Sequence, residues 1–277
     1  MPAPSQYQKL TLFEDGRHVR RLTGLGLMHD LLRVNANVDT VFIYDDFLNE
    51  ALDQTNGFWI AKTNGTGASA LTVPDTLNGI LRLIGGTDDN GYGGQVGQLS
   101  FSTELNPVLI TSVRCNAITS FKVEVGWIDA QTHAGAVNSA DTTTPTSTAA
   151  DYAVGIADTD ANTSSDLWML ATDGSTANMN ATITASGEAV GAAAATPTTA
   201  AANTYDRMAV TLRKISATVV TAQLYRNGRL LAAHGAALAN QIKGGIAIAP
   251  WLFFQTRVVT TNRRADVDYA IILSDRS

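Results

Sequence analysis

The chain is poor in cysteine, in charge and in aromatic side chains. A single cysteine, Cys115, among 277 residues excludes an intramolecular disulfide and a multi-cysteine metal centre. Charged residues make up only 16% of the chain, and the net charge is −6, which argues against a chain-wide role in neutralising nucleic-acid phosphates. The four histidines are scattered and no Gly-x-Ser-x-Gly motif occurs, so neither a histidine metal site nor a nucleophile elbow is predicted.

Long apolar runs are missing as well. No stretch of 18 apolar residues occurs, and the N-terminal region holds no apolar segment of signal-peptide length. We therefore expect a protein that is made in the cytoplasm and stays soluble, with neither a membrane nor a nucleic acid among its partners.

Residues 1–38, which we call the arm, differ in composition from the rest of the chain. The arm combines five basic side chains with several leucines, and Gly24 and Gly26 interrupt the leucines. A segment of this size is too small for a core of its own, so it must pack on its own domain or on a partner. The residues predicted to contact a partner are Arg17, Arg20, Arg21, Leu22, Leu25, Leu27, Leu31, Leu32 and Arg33. Residues 39–277 are predicted to form one domain.

Beyond the arm the apolar period is two, which is the period of a β-strand. Residues 120–127 alternate strictly, with Phe121, Val123, Val125 and Trp127 at the odd positions and Lys122 and Glu124 between them. This pattern predicts a strand with one buried and one solvent-exposed face. Asn227-Gly228 between two apolar runs predicts a hairpin with a type I′ turn. Many short strands joined by turns predict an all-β sandwich with no helix longer than about three turns.

Three segments have compositions that predict loops. Residues 131–150 and 185–203 are rich in alanine and threonine, and small residues without periodicity bury little area. We expect long surface loops or loose edge strands there. The glycine-rich residues 91–97 are predicted to form a loop that runs into a strand at 95–101.

Residues 205–212 and 220–231 resemble the late strands of concanavalin-like and laminin-G-like jelly rolls. In those proteins an aromatic residue opens one strand and the next strand ends in Leu-Tyr-x-Asn-Gly, as Leu224 to Gly228 do here. Residues 44–47, 79–83 and 267–272 fit the same layout. The resemblance implies an all-β, two-sheet antiparallel jelly-roll sandwich, to which the arm is an N-terminal extension.

An arm joined to an Ala/Thr-rich jelly roll is similar to capsid decoration and other surface proteins of tailed phages. The resemblance implies a non-enzymatic virion structural protein without a cofactor. Its partners would be the major capsid protein, another virion protein or its own copies in a homo-oligomer. The alternative is a carbohydrate-binding or glycan-cleaving module of the same superfamily.

One triplet bears on that alternative. Family 16 glycoside hydrolases carry Glu-x-Asp-x-x-Glu on one strand, and Glu124, Gly126 and Asp129 stand at this spacing. Gly126 stands in place of the aspartate of the motif, and Asp129 stands in place of its second glutamate. A retaining glycosidase needs two carboxyl groups about 5 Å apart. We therefore interpret Glu124 as a solvated strand residue and expect Glu124→Gln to leave the protein unchanged.

A second set of oxygen-bearing residues has the spacing of a calcium loop. Asp158, Asp160, Asn162 and Asp166 stand at its first, third, fifth and ninth positions. The loop lacks both the glycine of the tight turn and the closing glutamate, which favours a polar turn and leaves calcium as the alternative.

The densest arginine and aromatic cluster lies near the C-terminus. Trp251 and Phe253 alternate as core residues of a strand do, whereas Arg257, Arg263 and Arg264 are predicted contacts with a partner.

Overall fold

The computed structural model describes residues 40–47, 58–73, 79–131, 134–139, 146–147, 149–160, 167–173, 182–189, 201–216, 218–234, 242–258 and 263–276. These residues form strands and one short 3-10 turn, Thr103–Leu105. The strands, in chain order, are β1 Thr40–Asp45, β2 Ile60–Asn64, β3 Ser69–Val73, β4 Ile80–Gly86, β5 Tyr92–Val96, β6 Phe101–Ser102, β7 Val108–Cys115, β8 Phe121–Ile128, β9 Val137–Ser139, β10 Thr146–Ser147, β11 Tyr152–Asp158, β12 Leu167–Asp173, β13 Thr182–Ala189, β14 Asp206–Lys214, β15 Val220–Arg226, β16 Arg229–His234, β17 Ala247–Thr256 and β18 Arg263–Asp275. Within these ranges no helix has the length and apolarity needed to cross a bilayer.

The strands form two eight-stranded sheets and one small hairpin. Sheet 1 has the order β16-β15-β14-β7-β18-β4-β3, with β1 also paired to β18. Sheet 2 has the order β13-β12-β11-β8-β17-β5-β2, with β6 also paired to β17, and β9 pairs with β10 alone. Neighbouring strands are antiparallel, which confirms the predicted all-β sandwich.

The core lies between the two sheets and is built by the alternation that the sequence displays. Every second residue of β8 points inward, from Phe121 to Trp127, and meets residues of sheet 1 such as Leu109 and Val210. The indole of Trp127 donates a hydrogen bond to the carbonyl of Val210 across the core (3.2 Å). Burial of such large apolar side chains stabilises each by about 1.5–3 kcal/mol relative to exposure.

A buried polar bridge also joins the sheets. Trp168 of sheet 2 donates its indole N–H to Asp206 Oδ2 of sheet 1 (2.9 Å), and Arg226 Nε donates to Asp206 Oδ1 (2.7 Å). All three side chains are almost completely shielded from water. A charge in such a place persists only when it is paired and hydrogen-bonded.

The predicted hairpin is confirmed. β15 and β16 are joined by Asn227 (φ 48°) and Gly228 (φ 87°), the left-handed pair that a type I′ turn requires.

Other local predictions are wrong, each for a physical reason. Residues 92–96 form a strand instead of a loop. The glycines in this strand allow close packing against neighbouring backbone, since a Cβ on Gly93 would lie 2.2 Å from the carbonyl oxygen of Ser69. For residues 131–150 the predicted surface loop is wrong, since Ala136, Val137 and Ala149 are fully buried, whereas the alternative of strands fits β9 and β10. Nor does β8 have a solvent-exposed face, because all its residues are buried.

The outer face of sheet 1, turned away from the core, carries tyrosines, arginines and aspartates. Asp266 accepts hydrogen bonds from Arg82 (2.7 Å) and Arg114 (3.0 Å), and the Arg114 guanidinium stacks 4.8 Å from the ring centre of Tyr205. Tyr269 packs against the apolar residues of the same face.

Raising the pH above about 10 is expected to destabilise the protein through Tyr269. Burial raises the pKa of Tyr269 to about 12, with Asp268 adding to the shift and Arg207 opposing it, whereas an unfolded tyrosine titrates near 10. The fold favours the neutral phenol, so this stabilisation is present below pH 10 and is lost as the pH rises towards 12. Two units correspond to about 2.7 kcal/mol.

Urea unfolding at a series of alkaline pH values measures this effect. Tyr269→Phe cannot ionise, so the variant is expected to lose less stability than the parent between about pH 10 and pH 12. An identical alkaline loss in the two proteins would contradict the assignment to Tyr269.

Candidate functional site

The outer face of sheet 2 is the candidate site, since it carries the residues of the hydrolase-like triplet. Glu124 and Gly126 of β8 lie on this face, next to Phe253 and Trp251 of β17. The two rings stack with their centres 5.1 Å apart. Residues 134–139, which include β9 and which we call the strap, pass over this face and bury their own Ala136 and Val137 there.

Glu124 is fully buried, and each of its carboxylate oxygens accepts two hydrogen bonds. Oε2 accepts from the backbone N–H of Ala136 (2.7 Å) and from Trp251 Nε1 (2.8 Å). Oε1 accepts from the backbone N–H of Val137 (3.1 Å) and pairs with Lys122 Nζ (3.2 Å). A carboxylate has about four lone-pair directions, so its hydrogen-bonding capacity is filled. The interpretation of Glu124 as a solvated residue is wrong.

Lys122 completes this buried pair and holds the strap as well. Its ammonium donates to the carbonyl of Val137 and lies 5.1 Å from the ring centre of Phe253. Burial lowers the pKa of Lys122, while the carboxylate of Glu124 opposes that shift. Gly135 has a φ of +122°, a conformation that residues with a side chain rarely adopt, and a Cβ there would lie 2.8 Å from Lys122 Nζ.

A second buried ion pair, Arg257–Asp158, binds the strap at the next residue, Asn138. Arg257 Nε donates to Asp158 Oδ1 (2.8 Å), and Arg257 Nη2 donates to the carbonyl of Asn138 (2.9 Å). Two opposite-charge pairs on the sheet therefore bind the strap backbone at three consecutive residues, 136–138. Because the contacts are to backbone atoms, they depend little on the small side chains of this segment.

The geometry of β8 does not provide the carboxyl pair of a glycosidase. A Cβ on Gly126 would lie 2.2 Å from the carbonyl oxygen of Ala153, so no aspartate fits in the place of the helper. β8 ends at Ile128, so Asp129 lies beyond the strand that carries Glu124. Glu124 lacks both the access and the partner that retaining cleavage requires.

Exposed polar groups gather instead at the rim of sheet 2, where β5, β11 and β17 meet turns. We call Asp89, Asn90, Asp160 and Arg257 the rim cluster. Arg257 Nη1 donates to Asn90 Oδ1 (3.3 Å), and Arg257 Nε lies 3.5 Å from Asp160 Oδ2. Partial burial raises the pKa of Asp160, and the charge of nearby Asp89 adds to the shift while Arg257 opposes it. The cluster presents carboxylate and amide oxygens to solvent beside one guanidinium.

The predicted site residues fall into three groups. Trp251 and Phe253 are buried, as predicted, but they lie on the outer face of sheet 2 with the strap and not between the sheets. Arg257 is buried in an ion pair and is not a surface contact, whereas Arg263 and Arg264 are half-buried. All predicted partner contacts of the arm lie outside the described residues.

The calcium loop stays a prediction. Its residues Asn162 and Asp166 lie outside the described residues, and the carboxylate of Asp158 is paired with Arg257. In the part of the chain that the structure describes, no three His, Cys, Asp or Glu side chains gather in a way that could hold a metal ion.

The residues that the sequence analysis missed are Lys122, Asp89 and Asn90. Opposite charges at alternate positions of one strand, Lys122 and Glu124, are the available signal for a same-face ion pair. The run Asp88-Asp89-Asn90-Gly91 has the composition of a turn, which places polar side chains at a sheet rim.

The chain matches no protein-family description and no curated protein. Among solved structures it is similar to a protein of unknown function from Shewanella oneidensis MR-1, with a TM-score of 0.53 and 12% identity over 99% of this chain and 95% of that chain. It is also similar to the carbohydrate recognition domain of Emp46p, with a TM-score of 0.50 and 8% identity over 82% of this chain and 94% of that domain. Peanut lectin aligns with a TM-score of 0.48 and 11% identity over 85% of this chain and 97% of the lectin. The likeness to the Emp46p domain shows the fold alone, which is a two-sheet antiparallel jelly-roll sandwich.

Proposed function

We propose that the chain is a non-catalytic binding module of lectin-like architecture. The observation that carries this proposal is the state of Glu124, whose four hydrogen-bond acceptor directions are all filled beneath the strap. An attacking or proton-donating carboxyl group must reach the glycosidic bond, and this one is closed off by backbone atoms. The helper aspartate of the hydrolase motif has no counterpart, because a side chain at Gly126 would clash with the backbone of Ala153.

The ligand class that we propose is a carbohydrate. The fold likeness to a carbohydrate recognition domain supports this class by analogy of architecture. The rim cluster adds a chemical reason, because the exposed carboxylate oxygens of Asp89 and Asp160 accept hydrogen bonds from sugar hydroxyls. Val258 beside it is about half-exposed and offers an apolar contact to a sugar ring.

A glycan array probed with the labelled full-length protein tests the proposal. Asp160→Asn is expected to weaken binding to any glycan found there by about 10–100-fold, because a charge-assisted hydrogen bond contributes about 1.5–3 kcal/mol. Glu104→Gln is the matched control, since Glu104 is a half-exposed acid whose partner is Lys214 of sheet 1. The control is expected to bind as the parent does.

Two results would overturn this assignment. Binding to no glycan on a broad array would remove the carbohydrate as ligand. Release of reducing sugar by the parent protein, abolished in Glu124→Gln while that variant stays folded, would show that the site beneath the strap is catalytic.

The second candidate is a structural role on a virion surface, with a virion protein or further copies of the chain as partner. It is favoured by the Arg114–Tyr205 stack on the outer face of sheet 1, because arginine and tyrosine are enriched at protein interfaces. Mass spectrometry and cryo-microscopy of particles from the host decide it: density for the jelly roll on a particle supports this role, and absence of the chain from particles rejects it.

A further inference from the structure

The outer face of sheet 1 carries three arginines around one buried aspartate. Strand pairing places Arg82 of β4 and Arg114 of β7 directly opposite Asp266 of β18, one on each side. Arg264 stands two residues before Asp266 on the same strand and therefore on the same face. The side chain of Asp266 is 4% exposed, whereas those of Arg82, Arg114 and Arg264 are 24%, 29% and 38% exposed. The carboxylate is thus enclosed by arginine side chains that reach solvent.

Two of the arginines fill the hydrogen-bonding capacity of this carboxylate. Arg82 donates from Nε to Asp266 Oδ1 (2.7 Å) and from Nη2 to Oδ2 (3.3 Å). Arg114 donates from Nε (3.3 Å) and from Nη2 (3.0 Å) to Oδ2. Four hydrogen bonds are what a carboxylate usually accepts. Because each arginine is held through two nitrogens, the planes of both guanidinium groups are fixed and their remaining N–H groups keep set directions.

The third arginine has no such partner. Arg264 Nε lies 3.9 Å from Asp266 Oδ1, which is beyond hydrogen-bond distance, and within the described ranges this buried N–H has no acceptor. The backbone of Arg264 is nevertheless held in place, since its N–H donates to Asn116 Oδ1 (2.9 Å) and its carbonyl accepts from the N–H of Asn116 (3.0 Å). A guanidinium group that is anchored but lacks a hydrogen-bonded countercharge attracts an anion.

Positive charge is in excess at this place. Three guanidinium groups surround the single carboxylate of Asp266. Asp268, two residues further along β18, is the next acid on the strand; burial raises the pKa of its half-buried carboxyl group, and the charge of Arg114 opposes that rise. Even with Asp268 counted, the arginines outnumber the acids.

We propose that Arg82, Arg114 and Arg264 form a binding site for a sulfate or phosphate group on the outer face of sheet 1. Guanidinium groups suit this class of ligand, because their N–H forks match the oxygens of an oxoanion and they are more weakly hydrated than ammonium groups. Leu71, which pairs with Arg82, is 44% exposed, and the partly buried ring of Tyr205 stacks on Arg114, so both ends of the site offer apolar contact to a molecule that carries such a group. The site lies on the other sheet from the rim cluster and does not depend on the carbohydrate proposed there.

Isothermal titration of the full-length chain at low ionic strength tests the proposal, with inorganic sulfate, inorganic phosphate and a sulfated hexasaccharide of heparin as probes. Arg264→Gln is the first variant, because Arg264 makes no hydrogen bond to the buried carboxylate and its replacement leaves that pairing intact. We expect it to weaken binding by about 10–100-fold, the loss that follows removal of one charge-assisted hydrogen bond. Arg213→Gln is the matched control: Arg213 is exposed at the far end of β14 on the same face, and its replacement changes the net charge equally. The control is expected to bind as the parent does.

A second variant separates shape from charge. Arg264→Lys keeps the positive charge but loses the planar fork, so it is expected to recover only part of the affinity lost in Arg264→Gln. Measured against Arg213→Lys, it also repeats the test should Arg264→Gln fold poorly.

The probes distinguish the source of the anion. A hexasaccharide that binds about tenfold or more tightly than inorganic sulfate supports a sulfated chain as the carrier, and equal affinities support the free ion, with the same three arginines in both cases. Failure of all three probes to bind the parent overturns the proposal. So does equal weakening by Arg213→Gln and Arg264→Gln, which would show attraction to the charge of the whole surface and not to a site at Asp266.

Discussion

Replacing Asp206 with asparagine is expected to lower the free energy of unfolding by about 3–5 kcal/mol, the usual cost of removing one partner from a buried ion pair. The carboxylate of Asp206 holds both the Arg226 guanidinium and the Trp168 indole in the core. The amide is neutral, so the guanidinium of Arg226 loses the countercharge that compensates its burial. Trp168 belongs to the other sheet, and the variant therefore also weakens the connection between the sheets.

Urea unfolding followed by tryptophan fluorescence measures this loss. The control is Glu104→Gln, which breaks the half-exposed Glu104–Lys214 pair and should change stability by no more than about 1 kcal/mol. A double variant, Asp206→Leu with Arg226→Met, removes both charges and is expected to be more stable than Asp206→Asn alone. If Asp206→Asn unfolds like the control, the bridge does not contribute to stability in the way that its burial indicates.

The strand pattern was readable from the sequence because it depends on local alternation. Residues 207–213 alternate with period two and lie in β14. In β18 the simple alternation of residues 266–273 is wrong, because a register shift after Val267 places Ala270 and Ile272 in the core and Ile271 and Leu273 on the outer face. The turn at Asn227-Gly228 was readable too, since positive φ at two consecutive residues selects these residue types regardless of the surroundings. In both cases neighbours in sequence determine the outcome.

The burial of both faces of β8 could not be predicted from its alternating sequence. Lysine and glutamate are almost never fully buried unless they are paired, so Lys122 and Glu124 predicted a solvent-exposed face. The atoms that pair with Glu124 are backbone groups of the strap, 12 and 13 residues further along the chain, and the indole of Trp251, 127 residues away. A small-residue segment such as 134–139 gives no sign that its backbone is a ligand, because alanine and glycine carry no hydrogen-bonding side chain.

The candidate site was therefore only partly predictable. The spacing of Glu124, Gly126 and Asp129 drew attention to β8, although the sequence analysis interpreted Glu124 as a solvated residue. It could not reveal that Gly126 is fixed by the carbonyl of Ala153, since that contact arises only when β8 and β11 pair. The rim cluster was missed because Asn90 and Arg257 are brought together by the pairing of β5 with β17.

Glu124→Gln is expected to destabilise the protein by about 3–5 kcal/mol, although the two side chains have nearly the same shape. Each oxygen of Glu124 faces two donors. In glutamine one oxygen becomes an NH₂ group, so either the pair from Ala136 and Trp251 or the pair from Val137 and Lys122 then faces another donor. The buried ammonium of Lys122 also loses its neighbouring negative charge. The expectation of an unchanged protein, drawn from the sequence alone, is thus reversed by the contacts.

The same substitution should loosen the strap before the sandwich unfolds. Two of the three backbone residues by which the strap is bound, Ala136 and Val137, donate to Glu124, whereas Asn138 is bound by Arg257. Amide hydrogen exchange of residues 134–139 is expected to accelerate more than that of β14, because local opening costs less than global unfolding. Asp160→Asn is the control at the same site: its carboxylate is about half-exposed, so neither stability nor exchange should change appreciably. Equal exchange in Glu124→Gln and Asp160→Asn would show that the hydrogen bonds to Glu124 do not hold the strap, and would leave its apolar contacts with Trp251 and Phe253 and the Arg257 contact to close this face of the sheet.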